Sequence, residues 1–150
     1  MKKFTFGWLI LLSAGALFFG LLSCASKSKP MLNSPEGIHF KVLSLEVAKG
    51  QAISANKPLF IFAHASWCPT CKQMEKEVLV KKVLGDAFNT GFLNVAIDVD
   101  SPEGHDLNQT YPINGTPTLL FFKPGGVFSK KIVGFTTIDE LLAVARDFKN

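Results

Sequence analysis

Residues 59–63 (LFIFA) form an unbroken apolar run that leads almost directly into Trp67-Cys68-Pro69-Thr70-Cys71. Such a run, with no polar alternation, is the pattern of a central strand covered on both faces. From Cys71 the sequence KQMEKEVLVKKVLGDAF is helix-like to about Phe88, with a break near Leu79. A doubly covered strand that turns straight into a helix calls for helices packed on both sides of a sheet. The rest of the chain agrees. Residues 38–42 alternate as a short strand, Ser44 can cap a helix to about Ala55 that Gly50 weakens, and residues 92–99 read as a strand ending in acids. A loop around Pro102 and Gly104 precedes a short helix near residues 105–110. Residues 118–122 are a second apolar run, Pro124-Gly125-Gly126 a turn, and residues 128–135 its hairpin partner. Thr137-Ile138-Asp139-Glu140 matches a capping box that opens an amphipathic helix to about Phe148. The order β-α-β-α-β-α-β-β-α predicts an α/β fold with a mixed central sheet, parallel crossovers first and an antiparallel hairpin last.

These elements occupy residues 38–150, and a chain of 150 residues leaves no room for a second full core. With 47% hydrophobic and 19% charged residues it is too apolar for a disordered chain. The formal net charge of +4 would suit nucleic acid only if it clustered on the folded part. From residue 38 onward there are 12 basic and 11 acidic residues, net +1, so the sequence predicts no nucleic-acid partner. Three cysteines are too few for a disulfide-built scaffold, and a core of this size needs no staples.

The first of those cysteines belongs to a different argument. Met1-Lys2-Lys3 is a cationic start, and residues 4–22 carry no charge, which marks residues 1–23 as an export signal. The apolar stretch is slightly long for a secretory segment and just long enough for a tilted membrane helix, so hydropathy leaves cleavage and permanent anchoring open. Leu21, Ser23 and Cys24 resemble the lipobox of bacterial lipoproteins, in which the cysteine is acylated and becomes the first mature residue. That resemblance implies lipidation at Cys24. Residues 24–37 then form a tether, small, polar and broken by Pro30 and Pro35, with an end-to-end distance of about 20 Å. Ala25-Ser26 lacks the Asp that retains enteric lipoproteins at the inner membrane, which points to the outer membrane in a Gram-negative source.

A lone C-x-x-C also serves zinc sites, but one between a buried strand and a helix has a redox context. Cys68 falls at the helix N-terminus, where unpaired N–H groups and the helix dipole favour a thiolate. Pro69 suits the first turn, where its missing N–H is not needed. Cys71 lies one turn inward and can attack a mixed disulfide formed at Cys68, so the pair divides into nucleophile and resolver.

Trp67-Cys68-Pro69-Thr70-Cys71-Lys72, together with Gly115-Thr116-Pro117-Thr118 before an apolar strand, resembles the thioredoxin superfamily. The resemblance covers residues 38–150 and implies a thioredoxin fold with a redox-active Cys68–Cys71 disulfide and no other cofactor or metal. It implies that Pro117 is cis and packs against the pair, and that the backbone of Thr116 pairs with the substrate chain. Gly134 resembles the family's glycine near the end of the last strand. Trp67 reads as an apolar wall of the substrate groove. The stretch from Cys71 to Glu77 is closer to exported thioredoxin-like proteins and to the periplasmic reductase domain of transmembrane reductant conductors than to cytosolic thioredoxin.

One departure bears on mechanism. Cytosolic thioredoxins carry a buried Asp six residues before the nucleophile, where this chain has Phe62. Another group or water must take the proton of Cys71. Glu75 leads, four residues after Cys71 on the same helix face, with an acidic counterpart in the reductase-domain relatives; a surface Glu paired with Lys72 or Lys76 is the alternative. His64, at the end of a strand, is a rival base. His39 and His105 read as solvated or structural, and Asp98, Asp100, Glu103 and Asp106 as a solvated rim.

Pro69-Thr70 offers no imidazole to stabilise a Cys68 thiolate, so the sequence predicts a reducing poise, below the roughly −120 mV of a strong oxidant. The resulting expectation is a membrane-anchored thiol-disulfide oxidoreductase that reduces exported proteins and is recharged by a transmembrane thiol reductant carrier. Disulfide isomerisation or oxidation by the same residues is one alternative. A Cu(I)-binding metallochaperone is another, although such relatives space their cysteines one residue further apart and add a histidine ligand. A redox-silent binding module using only the groove beside Pro117 is the third.

Overall fold

The computed structural model describes residues 34–148. The expected signal segment, Cys24 and most of the tether lie outside the described residues. Helix α1 (Leu45–Ser54) begins where Ser44 accepts the N–H of Val47 at 3.4 Å. Strand β1 (Leu59–His64) leads into α2 (Pro69–Met74), which continues as a five-residue π-helical turn (Glu75–Leu79). Then come α3 (Lys82–Gly91), β2 (Leu93–Asp98), α4 (Pro102–Thr110), β3 (Thr118–Phe122), β4 (Phe128–Val133) and α5 (Ile138–Asp147). The capping box that opens α5 is complete: Thr137 Oγ1 accepts the N–H of Glu140, and the Glu140 carboxylate accepts the N–H of Thr137.

The sheet order is β2-β1-β3-β4. Strand β1 pairs with β2 in parallel, and β3 is antiparallel to both β1 and β4. Every residue from Leu59 to Ala63 is fully buried, because alternate side chains serve two separate cores. Phe60 and Phe62 join Met74, Phe88, Phe121 and Leu141 on one face. Leu59, Ile61 and Ala63 join Leu45, Ala48 and Leu107 on the other. Phe60 stacks on Phe121 with ring centroids 4.8 Å apart and meets Phe88 at 5.2 Å. Burying each such ring contributes about 1.5–3 kcal/mol, so the Phe-rich strands act as core rather than as a surface. This is a mixed α/β arrangement of the expected class.

Several boundaries moved. The strand expected over residues 38–42 is reduced to a single parallel bridge between Lys41 and Val95. Its hydrogen bonds are Lys41 N to Asn94 O and Ala96 N to Lys41 O. The ladder stops there because the chain must present Ser44 as a helix cap three residues later. Helix α4 starts at Pro102, capped by Ser101 Oγ, three residues before the expected start. Gly104 permits this: a Cβ there would collide with the carbonyl of Asp98 and with Val99, so α4 lies directly on the end of β2. The break expected near Leu79 is real, and it is preceded by the π-turn. The carbonyl of Leu79 accepts the N–H of Ile38 at 2.9 Å, which ties the start of the domain to the end of that turn.

Candidate active site

The C-terminal end of β1 positions the two cysteines. The N–H of Cys68 reaches back to the carbonyl of Ala65 at 3.2 Å, closing the turn that converts the strand into a helix. Cys68 is the N-cap of α2, in extended backbone geometry, with Pro69 in the first turn. Its sulfur accepts the N–H of Cys71 at 3.0 Å, so an orphan amide of the helix end points at the sulfur itself. Cys68 and Cys71 are disulfide-bonded. Both residues are buried, 2% and 0% exposed, within the core that Phe62 and Met74 line.

The loop before β3 closes over the pair. The Thr116–Pro117 peptide bond is cis. The carbonyl oxygen of Thr116 lies 3.5 Å from Cys68 Sγ. Two bonds hold the loop: the Thr118 hydroxyl donates to Gly115 O at 2.6 Å, and Gly134 N–H donates to Pro117 O at 2.8 Å. Gly134 has φ of +96°, a conformation that an L side chain rarely adopts. Trp67, Thr116 and Pro117 are thus gathered around Cys68.

Trp67 is 63% exposed, yet its indole is not free to turn. The indole N–H donates to Asp100 Oδ2 at 2.6 Å. Asp100 is exposed, as expected of a solvated rim, and it also anchors the tryptophan from the loop between β2 and α4. Sequence reasoning missed this because the partners are 33 residues apart and meet only when β2 pairs with β1. His105, Asn108 and Asn114 were also missed as neighbours of the site. With Trp67 and Thr116 they line a cavity of about 310 Å³.

Phe62 fills the position of the absent carboxylate, fully buried and stacked on the His64 ring at 5.3 Å. Glu75 sits at the first position of the π-turn and is only 7% exposed. Its Oε1 is buried without a hydrogen-bond partner. Burial pushes its pKa above the ordinary carboxylate value, against the smaller opposing pull of Lys72 and Lys76. Those lysines and Val80 line a cavity of about 350 Å³ with it. Glu75 is thus buried rather than on the surface, and among the described residues neither Lys72 nor Lys76 forms an ion pair with it. His64 is half-buried, and its Nδ1 is buried without a partner. Burial lowers its pKa, with Asp98 pulling the other way. His39 and His105 are exposed. No helix among the described residues is long and apolar enough to cross a membrane.

The family model of a thioredoxin-like domain matches residues 45–149. Among curated relatives, the thiol:disulfide interchange protein DsbD 1 of Pseudomonas aeruginosa is 32% identical over 83 residues, 55% of this chain and 14% of that protein. A thioredoxin of Mycoplasmoides gallisepticum is 30% identical over 91 residues, 61% of this chain and 84% of the relative. Among solved structures, a putative disulphide-isomerase from Bacteroides thetaiotaomicron is 32% identical with a TM-score of 0.64, over 75% of this chain and 93% of that one. The chain therefore spans nearly all of the small relatives and only a minor part of the interchange protein.

Proposed function

The chain belongs to the thioredoxin-like family, with thiol-disulfide oxidoreductase chemistry carried by Cys68 and Cys71, and from that premise we propose that it reduces disulfides of exported proteins from a membrane tether. The disulfide capped onto the start of α2 and covered by the Thr116–Pro117 loop is the observation that carries this reading. In the reduced protein the Cys68 thiolate attacks one sulfur of a substrate disulfide; a Cys68–substrate bond forms and one substrate thiol leaves. The N–H of Cys71 and the helix N-terminus stabilise that thiolate. Cys71, deprotonated, then attacks Cys68 Sγ, releasing the second substrate thiol and leaving the Cys68–Cys71 disulfide. Glu75 takes the Cys71 proton: it lies one helical turn on, desolvated, with a carboxylate oxygen that no donor occupies. Thr116 offers its backbone to the substrate chain, with Trp67 as the wall beside it.

The extracytoplasmic placement rests on the export-signal pattern of residues 1–23, the lipobox-like Cys24, and the similarity to a thiol:disulfide interchange protein. That similarity also supports a transmembrane thiol reductant carrier as the source of electrons. Insulin reduction tests the assignment: Cys68→Ala abolishes it, and Cys71→Ala accumulates mixed disulfides at Cys68. Full insulin-reducing activity in the Cys68 variant would sink the reading.

A further inference from the structure

We propose that the cavity between Trp67 and Thr116 is a specificity pocket for a cationic side chain, Lys or Arg, flanking the substrate's cysteine; this rests on the reductase reading and names its substrate class. Trp67 immediately precedes Cys68, and Thr116 O lies 3.5 Å from Cys68 Sγ. A chain that brings a sulfur to Cys68 therefore sets its neighbouring residue at the mouth of this 310 Å³ space. One wall is the indole of Trp67, a ring that attracts cations to its face. The bond to Asp100 Oδ2 holds that ring in place and leaves Asp100 Oδ1 without a hydrogen-bond partner among the described residues. Asp100 is thus a positioning residue for the wall and a fixed negative charge behind it.

Beside the apolar Val99 and Ile113, the rest of the lining offers acceptors and no Lys or Arg. Among the described residues the Asn114 side chain makes no hydrogen bond, so its amide oxygen is available. His105 is exposed on α4, and Asn108 already uses Oδ1 to accept the N–H of Ile113 at 2.6 Å. Between Lys82 and Lys123 the chain has no Lys or Arg, and it carries Asp98, Asp100, Glu103 and Asp106 on the segments that build this wall. An acidic side chain entering here would find no Lys or Arg in the lining, whereas a cationic one meets the indole face and the charge of Asp100 behind it. The lysines that follow the cysteines, Lys72 and Lys76, line a different cavity.

The test is the kcat/KM of the full chain, in detergent, on cyclic peptide disulfides that differ in one residue beside the cysteine: Arg, Gln, Leu or Glu. The Arg peptide is reduced about three- to tenfold faster than the Gln peptide at low salt, and the ratio shrinks as salt rises. Asp100→Asn keeps an acceptor for the Trp67 N–H and removes the charge, so the Arg-to-Gln ratio, taken within the variant, falls toward one. Equal rates across the four peptides, or a preference for Leu or Glu, overturn the inference while leaving the reductase reading intact. Failure to reduce any peptide overturns the reductase reading itself, and the pocket's role with it.

Discussion

Replacing Glu75 with Gln separates the proposed proton acceptor from its shape. The substitution keeps the volume of a residue that is 7% exposed and removes only its ability to take a proton. Residues four apart on a helix have Cβ atoms about 5–6 Å apart, a separation that a glutamate side chain can span directly or through one water. General-base catalysis is worth about 10²–10⁴-fold, and solvent can replace part of it at a site that opens on a cavity. The release step, attack of Cys71 on the mixed disulfide, should therefore slow by about 10–100-fold, while the first attack by Cys68 stays nearly unchanged. Stopped-flow single turnovers resolve the two steps. In the unsubstituted protein the release rate rises with pH through the raised Glu75 pKa, and in the variant that limb is missing. Stability supplies an independent readout. Because the folded-state pKa lies above the unfolded one, the folded chain holds its proton longer, and stability falls as pH rises from the ordinary carboxylate value through the raised one. Glu75→Gln lacks that fall, so its melting temperature exceeds that of the unsubstituted protein above this window and by less below it. An unchanged release rate with an unchanged pH profile would refute the assignment of Glu75 as the acceptor.

Two further outcomes test the scaffold. Gly104→Ala drives a methyl into the carbonyl of Asp98 and into Val99, where α4 meets β2, and should cost about 1–3 kcal/mol in chemical denaturation. A variant as stable as the parent would mean that α4 can lift from the strand freely. Thr137→Ala removes the hydroxyl half of the capping box at α5, leaving the Thr137 N–H on Glu140, and should cost about 1 kcal/mol, read in the same assay, with no change in the redox kinetics because the lost bonds lie within the helix cap.

Local signals made much of this fold legible. The run at residues 59–63 has no polar member, and the structure buries each of its side chains between two cores. Ser44 and Thr137 announce their helices through hydrogen bonds that span three residues, so neighbours in sequence suffice to find them. Ser101-Pro102 carries the same signal, yet the helix was expected later, because Gly104 reads as a breaker when only the chain is visible. Its reason for being glycine is the close approach to Asp98, which is tertiary. The π-turn over Glu75–Leu79 has no glycine or proline to mark it, and the bond that receives its final carbonyl comes from Ile38, forty-one residues earlier. The first strand failed for a related reason. Alternation at residues 38–42 is a genuine strand pattern, but only Lys41 lies where β2 can bridge it. At the site, the cysteines and the cis bond at Pro117 carried a motif, and Glu75 followed from helical spacing. Asp100 carried none, since its role exists only once two strands bring it to Trp67.

The central claim is that Cys68 and Cys71 give electrons rather than take them, and the equilibrium potential of the pair tests it most directly. Equilibration against glutathione buffers, read by thiol alkylation and mass, should place the potential well below −120 mV, because Pro69-Thr70 supplies no imidazole to hold the Cys68 thiolate. Each 30 mV corresponds to about 1.4 kcal/mol for two electrons, so a shift of that size is a tenfold change in the equilibrium. A value near −120 mV would identify an oxidant and contradict the account.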